Sequence, residues 1–236
     1  MGIPVTSVDP LLPTVASPGS TAATTFDPAA DPRTELERQV TAYVELGFPA
    51  LLGITDDEFR ARVAPLASVA PAAPATPAVP GDGAAFVLVV PGLDVNDTAP
   101  AMRRGSRLGV SVIDRDEAPT YRPLPGLDVP VEPYLLVDVD TGSELCNVRP
   151  EDALVTVTGR GRTPLTIDEG VAVVVVRPDL LRPNKCFSLM GSRTGTNQRV
   201  PAVWISERRA KLGWCWDRNP HTWLGAASAA GRAGTS

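Results

Sequence analysis

Apolar residues recur every three to four positions along residues 34–46 and again along residues 55–66, a spacing that predicts amphipathic helices. Gly47 and Pro49 end the first helix, because glycine suits a helix C-terminus and proline cannot continue it. Thr55 and Glu58 have the spacing of a capping box and open the second. We therefore expect a small helical hairpin over residues 34–67.

After residue 83, short apolar runs of strand length are separated by turn residues. They predict strands at 84–90, 109–113, 134–140 and 145–148, a short basic helix within 99–108, and a helix opening at Pro150. Residues 167–176 carry conflicting signals, since Val173–Val176 favours a strand and the capping box Thr166/Glu169 favours a helix; we predict a helix. Runs at 185–190, 199–206 and 211–216 predict an antiparallel meander.

These elements predict an α+β fold: a single domain with a mixed or antiparallel sheet that ends in a C-terminal three-stranded meander. The small helical hairpin precedes it. Proline-rich, weakly apolar stretches set the boundaries, because they cannot bury enough area to offset the entropy of ordering. We expect a disordered arm at 1–33, the hairpin at 34–67, an Ala/Pro linker at 68–83, the α+β domain at 84–232 and a tail at 233–236.

Charge and cysteine usage narrow the class of protein. A formal net charge of −5 lacks the basic footprint of nucleic-acid binding, so no nucleic-acid partner is expected. Three widely spaced cysteines without a CxxC pair indicate reduced thiols. The sequence carries no recognisable secretory signal or membrane-length apolar run, so we expect a cytoplasmic protein without a membrane partner.

Three motifs contain the residue types of known catalytic, phosphate-binding or zinc sites but lack the spacing that those sites have. Asp138 and Asp140 end a predicted hydrophobic strand, like the paired carboxylates of haloacid-dehalogenase-type phosphotransferases, but Thr141 falls one position early, and we interpret the stretch as a strand ending in a hairpin turn. The loop at 191–199 lacks the P-loop pattern and is interpreted as a hairpin connection. The four possible zinc ligands lack paired spacing, so no metal or cofactor is expected: Cys146, Cys186, Cys215 and His221.

The densest collection of specific side chains lies at residues 214–223, in a chain with only 5% aromatic residues. Tryptophan faces with nearby donors and acceptors are typical of binding sites. We predict a ligand-binding set of Trp214, Trp216, Asp217, Arg218, Asn219, His221, Trp223 and Arg193. A core plug with an Asn-Pro turn explains the same residues equally well. Strand alternation separates Cys215 from both tryptophans and is consistent with an inert thiol.

Several stretches together resemble a conserved domain family of unknown function from actinomycete-type bacteria. They are TPLTIDEG (163–170), NKCFSLMGSR (184–193), RVPAVWIS (199–206) and KLGWCWDRNPHTWLGAASAAGR (211–232). The resemblance spans roughly residues 34–232 and implies a bacterial cytoplasmic protein, with no activity to carry over.

Three functions remain open. The leading one is a non-catalytic or accessory module that binds a small molecule or protein through the C-terminal segment. The second is a Cys/His-dependent hydrolase or transferase on a small acyl or phosphorylated substrate, with Cys215 or Cys186 beside His221. The third is an assembly-associated cargo or scaffold protein that docks through residues 1–33.

Overall fold

A computed structural model describes residues 25–235. Its α-helices are α1 (Pro32–Glu45), α2 (Phe48–Leu51), α3 (Asp56–Val63), α4 (Val95–Thr98), α5 (Pro150–Gly159) and α6 (Ile167–Val176). Its strands are β1 (Gly83–Val89), β2 (Val110–Ser111), β3 (Arg122–Pro123), β4 (Tyr134–Asp140), β5 (Thr163–Pro164), β6 (Cys186–Ser188), β7 (Ser192–Arg193), β8 (Arg199–Ser206), β9 (Arg209–Trp216), β10 (Leu224–Ala226), β11 (Ser228–Ala229) and β12 (Gly231–Ala233).

The strands form two five-stranded sheets and one short pair. In the first sheet the order is β1-β4-β11-β5, and β12 also pairs with β4; we call it the β4 sheet. The second, which we call the C-terminal sheet, has the order β10-β6-β8-β9-β2 and contains the predicted meander β6-β8-β9. Strands β3 and β7 form the short pair. The predicted α+β class with a mixed sheet and a C-terminal meander is confirmed.

Helix α6 lies at the centre, packed against β1, β8 and α1. Its run Val171–Val176 is buried throughout, which explains why a helix can hold so many β-branched residues. Thr166 Oγ1 accepts from the Glu169 backbone amide, and the Glu169 carboxylate accepts from the Thr166 amide, so the predicted capping box is present. The predicted helix at 167–176 is confirmed.

Helix α1 covers the free edge of β1. The buried Gln39 amide takes the place of a neighbouring strand: its Nε2 donates to Phe86 O at 3.1 Å, and its Oε1 accepts from Leu88 N at 2.6 Å. The hydroxyl of Tyr43 donates to Leu88 O at 2.7 Å. The predicted helical hairpin therefore also satisfies backbone groups that an exposed strand edge would leave unpaired.

The two carboxylates near the end of β4, Asp138 and Asp140, bind backbone and cation partners within the chain. Asp138 accepts from Thr76 N and Oγ1 at 2.6 and 2.9 Å and from Arg162 Nη1 at 2.8 Å. Burial disfavours its ionised form, but hydrogen bonds from Thr76 and Arg162 outweigh that effect and lower its pKa. Asp140 accepts from Ala78 N and Gly142 N, at 2.8 and 2.7 Å. Both side chains fasten the residue 68–83 segment to the sheet, consistent with a structural turn.

A buried ion pair fixes the C-terminal strand. Glu169 is fully buried, and its carboxylate accepts from Arg232 Nε at 2.6 Å and Arg232 Nη2 at 3.0 Å. The hydroxyl of Tyr134 donates to the same carboxylate at 2.7 Å. Arg232 also donates to Thr163 Oγ1 at 2.8 Å. Residues near 232 are therefore anchored in the β4 sheet.

Two local predictions are wrong. Residues 99–108 form a 3-10 turn at Ala99–Ala101 followed by a tight turn, because Pro100 lacks an amide proton and Arg104 pairs with Arg107 across Gly105. Residues 145–148 form no strand: Ser143–Leu145 is a 3-10 turn, and the left-handed Asn147, at φ 66°, cannot continue an extended chain.

Most of the predicted arm, residues 1–24, lies outside the described residues. The described part of it contacts the domain. Asp31 accepts from Arg33 N and Thr34 N and so caps α1. The guanidinium of Arg177 lies 3.5 Å from the centroid of the Phe26 ring. Within residues 25–235 no helix is long and apolar enough to cross a membrane.

Candidate functional site

The hairpin of β8 and β9 sorts the predicted site residues onto two faces. Val203 and Leu212 are opposite each other, fully buried, on the face toward the core. Because side chains alternate along a strand, Trp214 and Trp216 share that face. Trp214 packs against the core, and Trp216 lies beyond it. Gly213 points to the other face, which we call the outer face. The eight predicted site residues therefore form two separate groups.

The first group lies at the open end of the hairpin, away from the turn at 207–208. The rings of Trp214 and Trp216 meet edge to face with centroids 5.1 Å apart. The Arg199 guanidinium lies 4.0 Å from the Trp214 ring centroid and also binds both Glu117 oxygens, at 2.7 and 2.8 Å. Trp214 is thus covered by a paired cation, whereas Trp216 is 44% exposed.

The predicted polar residues of this group hold the chain in place. Arg193 Nη2 donates to Asp217 Oδ1 at 3.1 Å, and Arg193 Nη1 donates to Met190 O at 2.7 Å. Burial lowers the pKa of Arg193, opposed by the Asp217 carboxylate. The Asp217 carbonyl accepts from Glu151 N at 3.3 Å, in the first turn of α5. These contacts fix residue 217 against α5. They also occupy the side chains of Arg193 and Asp217, which leaves these two residues little capacity to bind a ligand.

Arg218 and Asn219 are exposed on the turn that follows. Arg218 Nε lies 3.5 Å from Glu151 Oε2, an ion pair with a side-chain exposure of 67% for the arginine. The Asn219 amide donates to Trp216 O at 3.1 Å and closes the turn. Of the first group, Trp216, Arg218 and Asn219 are open to solvent.

The second group lies on the outer face. The His221 and Trp223 rings have centroids 5.3 Å apart, and the Trp223 and Trp204 centroids are 6.5 Å apart. A Cβ built on Gly213 would be 2.4 Å from the Trp204 ring and 2.7 Å from Val112 Cγ2, so both side chains lie over this glycine. We call Val112, Trp204, His221 and Trp223 the aromatic strip.

Backbone hydrogen bonds hold the strip residues at their ends, and the side chains of Trp204 and Trp223 pack against the edge of the hydrophobic core while staying partly exposed. The carbonyl of Trp223 accepts from Cys186 N at 3.0 Å, and the carbonyl of His221 accepts from Asn147 N at 2.8 Å. The rings of Trp204, Trp223 and His221 are each partly exposed, and Val112 is 50% exposed. An apolar surface that is neither covered nor scattered is typical of an interaction site.

The thiols lie in surroundings that disfavour the thiolate. Burial raises the pKa of Cys215 to about 12 and also raises the pKa values of Cys186 and Cys146. A thiolate is the nucleophilic form, so these thiols are poorly suited to covalent catalysis near neutral pH. The ring contact of His221 is with Trp223. Among residues 25–235, no cluster of three or more His, Cys, Asp or Glu side chains could hold a metal ion.

Sequence reasoning missed Trp204, Val112 and Arg199 as members of these surfaces. One signal could have found Trp204: it lies in a predicted strand whose hairpin partner contains Gly213, and glycines in strands often lie beneath a large neighbouring ring. The cross-strand register that places Trp204 beside Gly213 depends on the two-residue turn at 207–208.

The family model described as "Family of unknown function (DUF5701)" matches residues 42–235, so the chain belongs to that family. This confirms the expected resemblance to a family of unknown function. No match was found among curated proteins or among solved structures.

Proposed function

We propose that this member of a family without an assigned function is a non-catalytic binding module, and that its partner contacts the aromatic strip. The observation that supports this most directly is the partly exposed row of rings on the outer face. Trp204 lies over Gly213, next to Val112, and continues toward Trp223 and His221. Tryptophans in such positions supply much of the binding energy of protein interfaces.

The remaining predicted residues have two roles in this proposal. Arg193, Asp217 and Trp214 are engaged within the chain and position the segment that leads to His221 and Trp223. Trp216, which is 44% exposed, offers a second contact area beside Arg218 and Asn219. We place it second because it lies on the other face of the hairpin.

The two alternative functions have less support. A Cys/His enzyme needs an accessible thiolate, and burial holds the thiol of Cys215 in its protonated form. An assembly role would depend on residues 1–33, and most of that stretch lies outside the described residues. Neither alternative accounts for the exposed rings on the outer face.

Site-specific photocrosslinking tests the proposal. A benzophenone amino acid replaces Val112 in the strip or, as a matched control, Val155 on α5, which is 71% exposed. On irradiation in the producing cell, we expect a discrete crosslinked product from position 112 that Trp223→Ala abolishes. Position 155 should not give that product. No product from position 112, or the same product from both positions, would overturn the proposal.

A further inference from the structure

Two cations share the outer face with the aromatic strip. Trp204 is opposite Lys211, and Ser206 is opposite Arg209, in the register of β8 and β9. Lys211 Nζ lies 3.4 Å from Ser206 Oγ, as expected for side chains on one face. Because residues 209, 211 and 213 alternate with the core-facing positions, both cations extend the surface that begins over Gly213.

The hairpin tip adds further cations. Glu207 and Arg208 both have left-handed backbones, at φ 53° and 63°, positions that asparagine and glycine normally occupy in such turns. The turn places Arg208 in solvent. Arg107 Nη1 lies 3.5 Å from Glu207 O and brings a fourth cation to the tip. We call Arg107, Arg208, Arg209 and Lys211 the basic rim.

The basic rim carries a local excess of positive charge, although the chain as a whole is acidic. The net charge is −5, yet residues 199–216 contain four basic side chains and a single acid, Glu207. Elsewhere arginines pair closely with carboxylates, as Arg62 does with Glu132 at 2.7 Å. Within residues 25–235, Arg208, Arg209 and Lys211 form no ion pair with a carboxylate. Their charge remains available to a partner.

We infer that the aromatic strip binds an acidic segment of another protein, whose apolar side chains cover the rings while its carboxylates meet the basic rim; this inference rests on the proposed function. Tryptophan with arginine is the composition that dominates binding energy at protein interfaces. Complementary charge at a rim sets partner choice and association rate. Val112, which is 50% exposed, offers an aliphatic contact and no stacking face, which favours apolar side chains over bases; single-stranded nucleic acid is the competing outcome that the test distinguishes.

Three probes of equal length test the chemistry by fluorescence anisotropy with the full chain: labelled peptides of alternating Glu and Phe, or of alternating Lys and Phe, and oligo(dT). We expect the Glu/Phe peptide alone to bind. Its affinity should fall at least about tenfold when salt rises from about 0.01 M to about 1 M, because the screening length falls from about 30 Å to about 3 Å. Binding of the Lys/Phe peptide or oligo(dT) at comparable affinity would overturn the inference, and so would no binding of the Glu/Phe peptide.

Charge reversal separates this inference from the proposed function. Arg208→Glu with Lys211→Glu should weaken Glu/Phe binding at least about tenfold, because two attractive contacts become repulsive. Arg33→Glu with Arg122→Glu changes two exposed arginines elsewhere and should leave binding unchanged. If the reversed variant binds and crosslinks at Val112 like the parent, the acidic-partner inference fails and the proposed function stands. Loss of the Val112 product from the parent itself would remove both.

Discussion

The β4 sheet and the outer face of the C-terminal sheet contain similar residue types and use them differently. Around β4, charged side chains are paired within the chain: Glu169 with Arg232 in a buried pair, and Asp138 with Arg162 in a partly buried one. On the outer face, Trp204, Trp223 and the cations at the hairpin tip are partly or fully exposed. Exposure without an internal partner, more than residue type, therefore distinguishes candidate binding groups from structural ones.

The first prediction concerns the buried ion pair of the β4 sheet. Arg232→Ala should destabilise the chain by about 3–5 kcal/mol, because it leaves the Glu169 carboxylate buried without its cation. Chemical denaturation measures the change. Arg218→Ala is the control, since this arginine pairs with Glu151 at the surface with 67% side-chain exposure and should cost less than about 1 kcal/mol. Equal effects would contradict the distinction between the two regions.

The second prediction concerns the covered edge of the same sheet. Gln39→Ala removes the side chain that bonds both Phe86 O and Leu88 N, and should cost about 1–3 kcal/mol because both groups stay buried. The loss of stability is measured as a lower denaturation midpoint, with an unchanged slope of the free energy of unfolding against denaturant concentration. The exposed loop residue Gln198 supplies the matched control, and Gln198→Ala should leave stability nearly unchanged. A Gln39→Ala variant as stable as the control would show that α1 does not seal this edge.

The third prediction is a pH dependence. Asp168 lines a small cavity of about 10 Å³ beside α6, and burial raises its pKa from 3.8 to about 6. The folded chain therefore holds this proton more tightly than the unfolded chain does, so stability falls as pH rises from about 4 to about 6. Asp168→Asn should reduce this fall. The pKa shift corresponds to at most about 3 kcal/mol of stability lost by the parent when Asp168 ionises. Asp168→Asn avoids this loss, but it also removes a negative charge that the helix N-terminus favours. We therefore expect the variant to be more stable than the parent at neutral pH by only about 1 kcal/mol.

Denaturation of Asp168→Asn across this pH range gives the measurement. Asp57→Asn, at the corresponding position of the first turn of α3 and exposed, is the control. If both variants change stability by the same amount at every pH, the burial of Asp168 has no energetic consequence.

Local signals in the sequence were sufficient for much of the fold. Capping boxes at Thr55 and Thr166 and the apolar period of α1 predicted the helices correctly, because these interactions lie within a few residues. The turns at 99–108 and 145–148 were missed because they depend on Gly105 and on the left-handed Asn147. No local pattern could show that Gln39 completes the edge of β1, since 47 residues separate it from Phe86.

The candidate site was predicted less completely than the fold. The sequence predicts one ligand-binding set within residues 214–223, but strand alternation separates Trp216 from Trp223. The aromatic strip instead includes Trp204 from the neighbouring strand and Val112 from beyond β2. A surface assembled across strands depends on their register, which the linear order of residues does not show.

One pair of variants tests the central claim most directly, with stability and the Val112 crosslink measured on each. Trp223→Ala should abolish the crosslink while changing the free energy of unfolding by less than about 1 kcal/mol. Asp138→Ala should keep the crosslink while losing about 1–3 kcal/mol, because its contacts with Thr76 and Arg162 are internal. The opposite pattern, a destabilised Trp223→Ala that still crosslinks, would show that the aromatic strip is structural.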